Sequence, residues 1–167
     1  MVQVRVAGVA LDAAQQHVIL LKPVGVGEGA GTILPVWIGE QEATSILVAV
    51  EGVTPPRPLA HDLMVRLLEA LDGTVERVEV TRVEDGTFYA EVSLFTPHGL
   101  RVIDARPSDA IALASRMGAP IWVADPVFAE AAVPDDLTGD EESDSEEQRM
   151  AEFRRFLDDV EPEDFEK

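Results

Sequence analysis

"TVERVEVTRVEDGTFYAEVSLF", residues 74–95, decides the fold. Two segments that alternate apolar and polar residues flank Glu84-Asp85-Gly86. Asp-Gly readily supplies the positive-φ positions of a tight turn, so the stretch predicts an antiparallel hairpin. A period of two then turns one face of each strand to a core and the other to water. Downstream, "GLRVIDA" (99–105) predicts a third strand, and the spacing changes to helical over Pro107–Met117. Pro107 suits a first helical position because its missing N–H would have no partner there, and Gly118 suits the residue past the end.

Upstream of the hairpin the same order appears once more. "VQVRVAGVAL" (2–11), "QHVILLKPV" (16–24) and "TILPVWI" (32–38) read as strands, the last two joined by the glycine-rich "GVGEGAGT" (25–32). That connection lacks the spacing and the Lys-Ser/Thr of a phosphate loop. After Gly39, "EQEATSILVAVEG" (40–52) predicts a helix whose acidic first turn suits the positive end of its dipole. A rigid "VTPPRP" (53–58) leads into a helix over 59–73, with Leu63, Leu67, Leu68 and Leu71 at helical spacing. A short strand at 119–124 and a short helix at 125–132 follow. Three strands and a helix thus occur twice, which predicts an α+β fold of duplicated β-β-β-α units: a mixed or antiparallel sheet with helices packed on it.

Residues 1–133 are expected to form one domain. Residues 134–144 are expected to be a disordered acidic linker, and 145–167 an amphipathic helix and tail with Met150, Phe153, Phe156, Leu157 and Val160 on one face. The chain carries a net charge of −19. Residues 135–167 hold 15 acidic and 4 basic residues, which leaves 17 and 9 in the rest. Neither part is the basic footprint of a nucleic-acid groove, so any binding of a polyanion must overcome repulsion. The absence of cysteine excludes disulfides, zinc–thiolate sites and thiol nucleophiles. No apolar run reaches the roughly 18 to 20 residues of a membrane span, and no secretory signal is visible, so a cytoplasmic protein is expected.

Polar residues gather at the helix starts. Pro107, Ser108 and Asp109 are explained by helix initiation, but Arg106 is misplaced at a positive helix end and Asp104 is surrounded by apolar residues. Either Arg106 pairs with Asp104 or Asp109, or it joins a carboxylate in a phosphate or metal site. If the two halves pack together, Glu40, Glu42, Asp104 and Asp109 converge around one divalent ion, Mg²⁺ or Mn²⁺, which would offset their mutual repulsion. His61 and Asp62 open the helix after "PPRP"; His61 is the leading acid–base candidate, because His17 and His98 sit beside turns. Arg57, Arg106 and Ser108 are the candidate phosphate contacts.

"LPVWIGEQEA" (34–43), "PPRPLAHDLM" (55–64), "EDGTFYAEV" (84–92), "DARPSDAIALA" (104–114) and "GAPIWV" (118–123) stand in the order and spacing of the bifunctional nuclease domain family. The resemblance covers roughly residues 2 to 133, and the tail ending in "EFRRFLDDVEPEDF" (152–165) is similar to that of actinobacterial members. It implies an α+β domain, often oligomeric, that cleaves DNA and RNA; it carries no settled residue roles. Ala60 departs from the Thr found in many members. The expected function is a nuclease without sequence specificity, assisted by a divalent metal and acting as a homo-oligomer. Metal ligands would be Glu40, Glu42, Asp104 and Asp109; His61, Asp62 and Arg106 would be catalytic. The alternative is a non-catalytic binding or regulatory module acting through protein–protein interfaces.

Overall fold

A computed structural model describes residues 1–25 and 31–136. Residues 137–144 of the expected linker and the expected amphipathic helix over 145–167 lie outside them; at the start of that linker, Pro134 pairs with Thr32 and Asp135 meets Lys22 at 2.9 Å. The elements, in chain order, are β1 (Val2–Leu11), β2 (His17–Pro23), β3 (Thr32–Trp37), α1 (Glu40–Val50), α2 (Ala60–Ala70), β4 (Thr74–Glu84), β5 (Thr87–Thr96), β6 (Gly99–Ala105), α3 (Pro107–Met117), β7 (Ile121–Val123), α4 (Asp125–Ala131) and β8 (Val133–Pro134). Among the described residues they build an eight-stranded mixed sheet in the order β6-β5-β4-β7-β1-β2-β3-β8. The hairpin forms as its alternation predicts, with Asp85 (φ 50°) and Gly86 (φ 77°) both left-handed in its turn.

β7 joins the two halves. It runs antiparallel to β1, with Val4 opposite Ile121, and parallel to β4, with Val78 opposite Ile121. The three-strand run β1-β2-β3 leads away on one side and β4-β5-β6 on the other. Side chains from both halves meet in one apolar core that includes Ile19, Leu34, Ile46, Val78, Ile111 and Val123. Each such side chain contributes roughly 1.5–3 kcal/mol by leaving water. Their burial draws α1 against β1 and β2, and α3 against α1, β4 and β5.

Two details differ from the sequence reading. β8 extends the sheet by a short edge pairing, Ile33 with Val133 and Thr32 with Pro134. Two residues carry too little periodicity to predict a strand, and a proline is tolerated at an edge because no ladder N–H is needed there. Leu63 and Leu67 on α2 and Leu71 at its C-terminal cap point to solvent, with exposures of 52%, 54% and 73%. The inward face is formed instead by His61, Val65 and Leu68.

Candidate functional site

Two strand-to-helix corners lie side by side because α1 and α3 pack together. At the first, β3 ends at Trp37 and the extended residue Gly39 caps α1; at the second, β6 ends at Ala105 and Arg106 caps α3. Neither cap offers a side-chain acceptor to its first-turn amides, so those amides lack the partner such a side chain gives. A Cβ at Gly39 would meet the Glu42 carboxylate, which folds back over the corner and would have to swing aside. Pro107 then starts α3 with its φ already helical.

Both corners open into a cleft of about 570 Å³, within the size range of small-ligand sites. His17, Trp37, Glu40, Phe88, Arg106 and Ser108 are among the residues that line it. Ser108 is buried, at 6% exposure. Among the described residues its hydroxyl has no hydrogen-bond partner, and a buried hydroxyl left unpaired is costly unless something arrives to satisfy it.

Behind the cleft lies a chain of polar contacts. Arg106 donates from Nε to Asp109 Oδ2 at 2.8 Å and from Nη2 to Asp109 Oδ1 at 3.2 Å. Its Nη1 reaches Glu42 Oε1 at 3.0 Å. Asp109 Oδ1 also lies 2.9 Å from His61 Nε2, and His61 Nδ1 lies 2.7 Å from Ser45 Oγ. Arg116 donates to Ser45 Oγ (3.1 Å), to the Ser45 carbonyl (3.1 Å) and to Asp62 Oδ1 (2.8 Å). Asp62 Oδ2 accepts the Leu59 N–H at 2.8 Å, which ties the start of α2 into the same chain. An ionised Asp109 only accepts, so His61 Nε2 donates to it; in the neutral ring Nδ1 then accepts the Ser45 O–H.

Burial is the strongest influence on Asp109 and opposes its ionisation, yet the hydrogen bonds from Arg106 and His61 outweigh it. The carboxyl is held below the usual carboxylate range. At Asp62 burial is again the largest influence and is again overcome, here by Arg116 and the Leu59 N–H. Folded-state values below the unfolded ones mean stability that is present above the unfolded value and lost as pH falls through the folded one. The domain is therefore expected to keep its stability down to about pH 4 and lose it below that, as urea midpoints measured against pH would show. Asp62→Asn should flatten that acid limb.

The residues singled out in the sequence divide sharply. Glu42, His61, Asp62, Arg106 and Asp109 join one connected chain, and Glu40 and Ser108 line the cleft in front of it. Asp104 is exposed on the edge strand β6, opposite Glu91 of β5. Arg57 is exposed in the proline-rich connection. The envisaged ring of four carboxylates does not form: Glu42 and both oxygens of Asp109 are held by Arg106, and no group of three or more His, Asp or Glu among the described residues is arranged for a metal ion. As arranged, these residues do not fit a divalent cation. His61 is buried at 7% exposure, with both ring nitrogens in the chain. Ser45 and Arg116 escaped the sequence reading, since a helical serine and a last-turn arginine are ordinary. Trp37 escaped it because nothing local shows that its strand ends at a cleft, and His17, which the sequence shows only as a residue beside a turn, lines that cleft.

Residues 24–136 match the family model of the bifunctional nuclease domain. The chain is 38% identical over 165 residues to uncharacterized proteins from two strains of Mycobacterium tuberculosis, across 98% of this chain and 97% of theirs. It is 28% identical over 115 residues to bifunctional nuclease 1 of Oryza sativa subsp. indica, across 67% of this chain and 34% of the plant protein. Bifunctional nuclease 1 of Arabidopsis thaliana is similar over the same share of each chain, also at 28%.

Proposed function

The chain belongs to the bifunctional nuclease domain family, and from that membership we propose that it hydrolyses phosphodiester bonds of both DNA and RNA at the cleft between the starts of α1 and α3. The observation that carries this reading is the pairing of Arg106 with Ser108. A guanidinium fixed from behind by Asp109 and Glu42 shares the cleft wall with a buried hydroxyl that has no partner among the described residues. Arg106 supplies positive charge to the phosphate, already oriented before substrate arrives. Ser108 and the first-turn amides donate to its oxygens. His17 and Glu40, in the same cleft, are assigned to take a proton from the attacking water and to return one to the leaving oxygen. His61 and Asp62 act through Asp109 and Arg116 as positioning residues. Attack by water needs no 2′-hydroxyl, and no residue in this set reads a base edge, so the reaction runs on both polymers without sequence preference.

Incubating the purified chain with end-labelled single-stranded DNA and RNA, in Mg²⁺, Mn²⁺ or EDTA, tests the reading. Cleavage of both polymers is expected, slowed about tenfold or more by Ser108→Ala, the size of one lost hydrogen bond to a charged group. Intact substrates under all three conditions would overturn it. The metal arms decide a further point, because a cation can enter between Glu42 and Asp109 only by displacing Arg106. Assistance by Mg²⁺ or Mn²⁺ at that place would make Arg106→Ala neutral or faster in the metal, and that result would remove Arg106 from its role at the phosphate.

One feature favours the second reading, a module that works through protein contacts. Leu63, Met64 and Leu67 on α2, with Leu59 and Leu71 at its caps, are exposed by 40–73%, and several large apolar side chains exposed on one short element mark an association site. A second copy of the chain is the proposed occupant. Leu63→Glu with Leu67→Glu is expected to halve the molar mass seen by light scattering; an unchanged mass would remove this surface from the assembly.

A further inference from the structure

Trp37 is more exposed than its size warrants, at 54%, yet its ring is not free to turn. Its Nε1–H donates to Asp12 Oδ2 at 2.9 Å. Asp12 Oδ1 in turn accepts the amides of Ala14 (2.8 Å) and Gln16 (2.9 Å) in the β1–β2 turn. The Gln16 amide first, then the indole N–H, hold the Asp12 carboxyl below the usual range, so it stays an acceptor. An exposed indole anchored at its polar edge and lining the cleft that holds Arg106 and Ser108 is a flat, preorganised surface beside a phosphate site.

We propose that Trp37 is a stacking platform for one unpaired nucleobase, which makes the substrate of the cleft single-stranded nucleic acid. The inference rests on the reading of the cleft as a phosphodiester site and specifies its substrate class. Inside a duplex both faces of every base are covered by neighbours, so a stacking surface is open only to a base that is unpaired or flipped out. Charge points the same way. Duplex DNA presents one phosphate per about 1.7 Å of axis, and a negatively charged domain repels that density more than it repels a flexible strand. Stacking also supplies affinity that needs no cation, which suits a domain with more acidic than basic residues.

The test reads Trp37 fluorescence in the full chain carrying Trp122→Phe, a change on the central strand β7, away from the cleft. A phosphorothioate-linked thymidine oligonucleotide, resistant to hydrolysis, is titrated as a single strand and as a blunt duplex. Expected are quenching of Trp37 and at least a tenfold lower Kd for the single strand. Trp37→Ala, read by anisotropy of labelled strand, should weaken single-strand binding about tenfold, and Trp37→Phe should keep most of it. Equal affinity for both forms, or unchanged emission at saturation, overturns the proposal. Because the readout is binding, quenching with strand preference but without cleavage of natural DNA or RNA supports the platform and sinks the nuclease reading. Cleavage without strand preference does the reverse.

Discussion

Arg106→Ala is expected to slow phosphodiester cleavage by about 10²- to 10³-fold, the usual loss when a preorganised donor to a developing negative charge is removed. Two effects combine. The phosphate loses its guanidinium, and Glu42 and Asp109, which share Arg106 through contacts of 2.8–3.2 Å, are left facing the substrate as uncompensated carboxylates. Arg106→Lys should recover only part of the rate, because an ammonium keeps the charge but cannot hold both carboxylates with one planar fork. Stability separates this from a structural effect. The Arg106 side chain is 65% exposed, but the Glu42 and Asp109 side chains it leaves are only 21% and 25% exposed, so a loss of about 1–3 kcal/mol is expected, and rates are compared where the urea curves show both proteins folded. A variant that folds normally and cleaves at the wild-type rate would remove Arg106 from the reaction.

Arg116→Met is expected to do the opposite: cost the domain about 3–5 kcal/mol while leaving the cleft lining in place. Arg116 is 8% exposed and its partner Asp62 23%. Its guanidinium satisfies Asp62, the Ser45 hydroxyl and carbonyl, and the Ala112 carbonyl. Removing it strands the Asp62 carboxylate in a poorly solvated place, while the Ser45 and Ala112 carbonyls keep their helical N–H partners. A domain of this size is stable by roughly 5–15 kcal/mol, so the loss is a large fraction of the whole. The urea midpoint should fall with an unchanged m-value. Asp62→Leu added to Arg116→Met should restore much of the loss, since replacing both members of a buried pair by apolar groups is often neutral. A loss below about 1 kcal/mol would show that water reaches the pair.

Much of the framework was readable from local pattern. The hairpin at 74–96, the proline-started helix at 107–117 and the strands of the first half follow from repeats of two and of 3.6 residues, which set side-chain direction along a single element. The same pattern failed where it did not say which side faces the core. The leucine spacing of α2 is helical, but Leu63, Leu67 and Leu71 face out, because the neighbour that fixes the inward face is α3, more than thirty residues further on. Half of the candidate site was readable for a related reason: Arg106 was conspicuous because a cation at a helix start is locally unfavourable. Ser45, Arg116 and Trp37 are locally unremarkable and gave no such signal.

By itself the sequence determined the elements from β1 to α4, the α+β class, the family resemblance and the negative charge that any polyanion must overcome, since each depends on neighbouring residues or on composition. Tertiary structure alone decided which of the acids and arginines meet. Ser45 with His61, His61 with Asp109, Arg116 with Asp62 and Trp37 with Asp12 are contacts between residues 16 to 54 positions apart. The first three exist because burial of one shared core seats α1, α2 and α3 together over a sheet whose strand order is not the chain order, and the fourth because pairing of β3 with β2 brings Trp37 beside the β1–β2 turn. The same packing leaves Asp104 on an edge strand, outside the cluster its composition suggested.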